Sequence, residues 1–209
     1  MEPVQVSNAE LKRMRADTAI NRKRKGRILF GVAVIVIGGL FVWGGITYSR
    51  KQVENTPGVA YENQGQEHVA LDYAFEYNSN PPSSGPHYAR PANWGMYDYE
   101  VNDKIFIHNL EHGGIWISYR PGVGDPALGD LKTIVEEFGG SKIVLAPRSA
   151  NDVDVAVVAW GWLSTFDLVG DRLNEEQREN VRSFYRAHKN RGPEMVPDFM
   201  PGINPETIQ

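Results

Sequence analysis

Residues 104–119 read KIFIHNLEHGGIWISY, and the way this stretch divides decides the architecture of the chain. Residues 104–108 and 114–119 carry β-branched and aromatic side chains at strand density, so both are expected as strands. Asn109 and the pair Gly113-Gly114 favour a turn between them. Downstream, residues 125–138 place Leu128, Leu131, Ile134, Val135 and Phe138 on one helical face, and Gly139-Gly140 stops them. Residues 142–146 and 153–160 read as two further strands, the second apolar enough to be buried. Asn174 is placed to cap a second helix running to about His188, with Val181, Phe184 and Tyr185 inward. Two strands, a helix, two strands and a helix predict an α+β domain: a mostly antiparallel sheet with two helices packed on one face.

Upstream, residues 67–99 are rich in proline, glycine, asparagine and tyrosine, as in YNSNPPSSGPHYARPANWGMYDY. The prolines forbid a regular element. The aromatic side chains Tyr73, Phe75, Tyr77, Tyr88, Trp94, Tyr97 and Tyr99 predict a loop held in place by rings, and ordered loops of this length are often functional.

Further upstream, residues 28–48 read ILFGVAVIVIGGLFVWGGITY, without a charge. At the helical rise this run spans roughly 30 Å, the thickness of a bilayer core. Trp43 and Tyr48 lie near its far end, where aromatic rings favour the interface. Gly38, Gly39, Gly44 and Gly45 are never four apart, so no glycine-x-x-x-glycine dimer face is expected. Eight basic residues against three acidic ones precede the run; twelve basic against twenty-three acidic follow from Gln52. The positive-inside rule then places the N-terminus in the cytoplasm and the acidic bulk outside a single-pass cell-membrane anchor. The expected organisation is a basic tail over 1–27, in which 9–19 could form a surface helix, and a membrane helix over 28–48. A polar linker over 49–66, the domain over 67–194 and a frayed tail over 195–209 complete it.

An acidic outer domain is a poor partner for nucleic acid. The absence of cysteine excludes disulfides, thiolate metal sites and cysteine nucleophiles. Ser83, Ser84 and Ser118 lack the setting of a serine nucleophile, and the glycines of PGVGDPALG do not follow a phosphate-binding pattern. What remains is histidine. His87, in NPPSSGPHY, and His108, Glu111 and His112, in HNLEHGG, form a candidate site for copper or zinc, with Glu111 as ligand or as orienting carboxylate. On a straight strand His108 and His112 would stand roughly 13 Å apart, too far for one ion. On a helical turn, positions four apart meet. The site therefore demands that the chain bend within 109–112. His68, at the domain entry, could join the cluster, though nothing local supports it, and a helix C-terminus accounts for His188. Met96, Met195 and Met200 are expected to pack.

PPSSGPHY, WGMYD, HNLEHGGIWISY, APR at 146–148, AWGW at 159–162 and RGPE at 191–194 together resemble the bacterial family catalogued as domain of unknown function 3105. The resemblance runs over about 67–194. It implies one N-terminal membrane helix and an extracytoplasmic domain, and it brings no activity. The expectation is thus a membrane-anchored, non-catalytic or weakly catalytic domain that binds a transition metal through clustered histidines. The alternatives are an envelope protein-interaction module whose histidines are structural and a metal-dependent hydrolase with Glu111 as general base.

Overall fold

The computed structural model describes residues 12, 22, 25, 29–32, 34–47 and 56–208. The helix expected over 9–19, most of the basic tail, Tyr48 and the linker as far as residue 55 lie outside the described residues. The chain divides into two compact units, 1–55 and 56–209.

The first unit contains helix α1 (Leu29–Thr47), long and apolar enough to cross a membrane by length and composition, as a membrane anchor or a signal sequence would be. Leu29, Phe30, Ile35, Phe41 and Trp43 present their side chains outward. Thr47 turns its hydroxyl back onto the carbonyls of Trp43 and Gly44, both at 3.0 Å. That satisfies the threonine hydroxyl within the helix.

The second unit is an α+β domain built on a six-stranded mixed sheet. Its strands are β1 (Val59–Ala60), β2 (Gly95–Met96), β3 (Ile115–Tyr119), β4 (Ile143–Pro147), β5 (Val155–Ala159) and β6 (Trp162–Phe166). The spatial order is β1-β6-β5-β3-β4-β2. The β1–β6, β6–β5 and β5–β3 pairings are antiparallel, and β3–β4 and β4–β2 are parallel, so the sheet is mostly antiparallel. The parallel β3–β4 pair requires a crossover, which helix α3 (Asp125–Glu137) supplies. Helix α4 (Glu175–His188) begins at Asn174, whose side chain accepts from Gln177 N while Gln177 reciprocates to the Asn174 backbone. β1 pairs Val59 with Leu163, so the sheet already includes residues from the stretch read as linker. β6 was not anticipated. It follows β5 through a tight turn at Trp160-Gly161, with Gly161 at φ 71°, and its WLSTF sequence alternates too weakly to stand out.

One expectation is corrected outright. Residues 104–108 are not a strand; they lie in helix α2 (Asp103–Glu111). The Asn102 side chain accepts from Lys104 N, and Asp103 sits favourably in the first turn. At the far end Gly113 adopts φ 74°, Gly113 N bonds to Leu110 O at 2.9 Å and Gly114 N to Asn109 O at 2.9 Å. This is a Schellman terminus, which needs glycine at the left-handed position.

The pleat sorts the core into two layers. Ile115, Ile117, Ile143, Leu145, Val155 and Val157 meet α3 and α4 on one face. Trp116, Val144, Ala146, Ala156 and Val158 meet Ile105, Phe106 and Leu110 of α2 on the other. Helices therefore cover both faces, a difference from the one-sided packing expected. Because α2 is buried from Ile105 through Glu111, its apolar and polar residues do not sort cleanly into an inner and an outer face, and the run Ile105-Phe106-Ile107 reads equally as strand.

The proline-rich loop is ordered and includes a cis Asn80–Pro81 bond. Tyr61, Tyr88, Trp94, Tyr97 and Tyr99 pack against the α2 layer, so the rings serve the core. Arg148, at the end of β4, locks loop to helix. It grips Asp103 of α2 in a two-pronged pair at 2.9 and 2.8 Å and donates to Asn80 Oδ1 at 2.7 Å. The stretch read as a frayed tail is docked: Ile203 exchanges backbone bonds with Pro91 and Asn93, both 2.9 Å, and is buried. Its prolines restrict the backbone without preventing this short pairing.

His188 closes the α4 layer. Its Nε2–H donates to Pro57 O at 2.8 Å, and the ring packs against Trp162 and Phe184. Burial, outweighing the hydrogen bond, lowers its pKa below 6.5. A lowered histidine favours folding above the unfolded pKa and loses that contribution as pH falls through the folded value. Denaturant midpoints measured downward from pH 7 should therefore decline in His188→Gln less than in the parent, and equal slopes would show that this histidine does not contribute.

Candidate metal centre

Helix α2 spaces His108 and His112 by four residues, and both rings emerge on one side of its last turn, with Glu111 between them in sequence. The bend that the sequence demanded is this helix. The loop supplies a third ring. His87 is held by paired backbone bonds, His87 N to Glu67 O at 2.9 Å and Val69 N to His87 O at 2.8 Å, which set it alongside His68. Tyr77 fixes the preceding turn by donating to Pro86 O at 2.5 Å. His87 and Glu111 are almost completely buried, His108 and His112 nearly so. The His68 side chain is 48% exposed.

The atoms converge on one carboxylate oxygen. Glu111 Oε2 lies 2.9 Å from His87 Nε2, 3.8 Å from His108 Nε2 and 3.8 Å from His68 Nε2. The His87 and His108 rings stand at 81° with centroids 5.0 Å apart, and His68 stacks on His108 at 5.1 Å. Ligand atoms of His68, His87, His108 and Glu111 all lie within 4.8 Å of one another, and this group could hold a metal ion. Around an ion with ligands at about 2.0–2.1 Å, tetrahedral neighbours stand roughly 3.3 Å apart, a value the 2.9 and 3.8 Å separations bracket.

The tautomers follow from the backbone. A carbonyl only accepts, so His87 Nδ1–H donates to Gly85 O at 2.8 Å and His108 Nδ1–H donates to Tyr88 O at 2.8 Å. In the neutral rings both Nε2 lone pairs then face Glu111. Burial pushes His108 down to about 4, helped by His112 and His87 and opposed by its Tyr88 bond and by Glu111, so this ring is neutral near pH 7. Burial also works against ionisation of Glu111, but when the imidazoles carry a proton on Nε2 the hydrogen bond from His87 and the positive charges of His87, His108 and His68 outweigh it and lower its pKa. Two fixed nitrogen lone pairs and a carboxylate turned towards one another repel, and a proton or a cation between them relieves that repulsion. Backbone carbonyls holding the far nitrogens are the usual outer partners of metal-bound histidine.

Of the four residues expected from sequence, His87, His108 and Glu111 come together directly. His112 stands at the edge, its Nε2 3.1 Å from His108 Nε2 and 3.2 Å from Glu194 Oε2, in an adjoining group with Glu111 and Glu194. Sequence reasoning could give His68 no local support and missed Glu194. His68 enters through the loop pairing with His87, which only long-range backbone bonds reveal. Glu194 arrives on a C-terminal strap, and its signal was the glycine two residues before it. A Cβ on Gly192 would meet Glu111 O at 2.2 Å and Leu110 O at 2.6 Å, so only glycine lets the strap cross the end of α2. Lys142, fully buried, donates to His112 O at 2.7 Å beneath this crossing.

A family model described as a protein of unknown function (DUF3105) matches residues 68–198. No curated protein and no solved structure gives a significant match.

Proposed function

Since the chain belongs to the DUF3105 family, whose description names no activity, its function must be argued from its own residues, and we propose that it is a membrane-anchored, extracytoplasmic metal-binding protein. One divalent transition metal, zinc or copper(II), is held by His87, His108 and Glu111, with His68 as the solvent-side ligand. The observation that carries this reading is the pair of backbone-fixed imidazoles whose Nε2 atoms converge on a buried carboxylate. A donor set of imidazoles and one carboxylate, without sulfur, suits zinc or copper(II) and disfavours thiolate-selecting metals. Three buried ligands and one exposed one suit uptake and release of the ion from solvent. Glu111 belongs to the ligand set, so it is not free to act as a general base, and no reaction is assigned. The apolar helix α1 and the charge asymmetry around it support display of the domain outside a membrane.

The test is metal content. Full chain purified in detergent, stripped and then equilibrated with zinc or copper(II), should retain stoichiometric metal through gel filtration, whereas a His87→Ala/His108→Ala double variant of unchanged circular dichroism should retain almost none. Equal, negligible metal in both would leave the histidines with a structural role in an interaction module.

A further inference from the structure

The strap bearing Glu194 is fixed more closely than a surface carboxylate requires. Asn190 N donates to Gly113 O at 2.8 Å, and Glu194 N donates to Glu111 O at 3.0 Å. A Cβ on Gly113 would come within 2.7 Å of Asn190 Cα, and one on Gly192 would overlap the α2 carbonyls. The chain thus passes backbone to backbone over the helix end and delivers one side chain, 53% exposed, against His112. An ordinary ion pair at that exposure adds little to stability, too little to account for two close glycine contacts.

Ligand atoms of Glu111, His112 and Glu194 lie within 4.8 Å of one another, and Glu111 is common to this group and to the histidine site. We infer that the protein holds a second divalent cation at His112 and Glu194, with Glu111 as the carboxylate shared between the two ions. This rests on the proposed first site and goes beyond it: the centre is a two-ion one. The chemistry favours the pair. Two ions sharing a carboxylate stand about 3.5–4 Å apart, and Glu111, at the end of α2 between His108 and His112 in sequence, belongs to both groups. Glu194 brings a second negative charge, and both groups lie at the C-terminal end of α2, where the helix dipole favours cations. The nearby cation, Lys142, is committed to His112 O and lies 3.9 Å from Asp198. The half-exposed Glu194 leaves the second ion more open to solvent than the first.

The experiment counts ions. Untagged full chain in detergent, dialysed against zinc, should carry two ions per chain by mass spectrometry, and a His112→Ala/Glu194→Gln variant should carry one. Loaded with copper(II), the parent should show the spin-coupled paramagnetic resonance of a close pair and the variant an uncoupled signal. One ion in the parent overturns the second site and leaves the first standing; none overturns both. Two uncoupled ions in the parent overturn the shared Glu111, and two ions in the variant overturn the second site at His112 and Glu194. Should the variant fail to fold, the parent's count and coupling decide the matter alone.

Discussion

His108→Ala is expected to weaken zinc binding by roughly 100- to 1,000-fold. Structural zinc sites release about 10–16 kcal/mol over four ligands, so one ligand accounts for roughly 2.5–4 kcal/mol, and each 1.4 kcal/mol is tenfold. His108 is the residue to change because its neutral form is already enforced: burial holds it down to about 4, so it gives up no proton on binding near neutral pH. The loss should reach the upper part of that range, since Nδ1 is also tied to Tyr88 O and the ring is pre-oriented. Competition against a chromophoric chelator measures it directly. A variant that keeps its fold and its affinity within threefold of the parent would remove His108 from the ligand set. Without metal the same change should cost only about 1 kcal/mol, the worth of one lost hydrogen bond.

Phe106→Ala should cost about 3–5 kcal/mol of folding stability, as large-to-small changes of fully buried aromatic residues do. Phe106 has no exposure, and its ring centroid lies 5.1 Å from that of Trp116 and 5.6 Å from that of Tyr97, so truncation leaves a cavity between two large rings. In a domain whose total stability is about 5–15 kcal/mol, this change takes a large fraction. It should also cost metal affinity, because the helix it anchors carries His108, Glu111 and His112. Denaturant unfolding checks the first statement, with a loss below 1 kcal/mol counting against it. Restoration of the midpoint by saturating zinc would show that the ligands still assemble.

Much of the fold was legible because periodicity survives where an element is covered on one side. The α3 stripe and the capped α4 are of this kind, and so is the apolar β5, bounded by turn residues. Helix α2 was not, since its burial on both flanks erased the alternation that distinguishes helix from strand. Its capping signals were nevertheless present: Asn102 and Asp103 at the start, and Gly113 at the left-handed stop. Given weight over the β-branched run, they predict the helix and with it the meeting of His108 and His112. The candidate site was legible as far as local strings reach. His68 and Glu194 joined it through backbone bonds spanning long separations, Val69 to His87 and Glu194 to Glu111, for which a single sequence carries no periodic mark.

The sheet ends on both sides in strands of only two residues, β1 and β2. A longer exposed strand would offer a row of unsatisfied amides and carbonyls onto which another copy could zip. Here each border offers too short a ladder to hold a newcomer. The domain can therefore be present at high local density on a crowded surface, its apolar strands shielded from the edge-to-edge stacking that seeds fibrils.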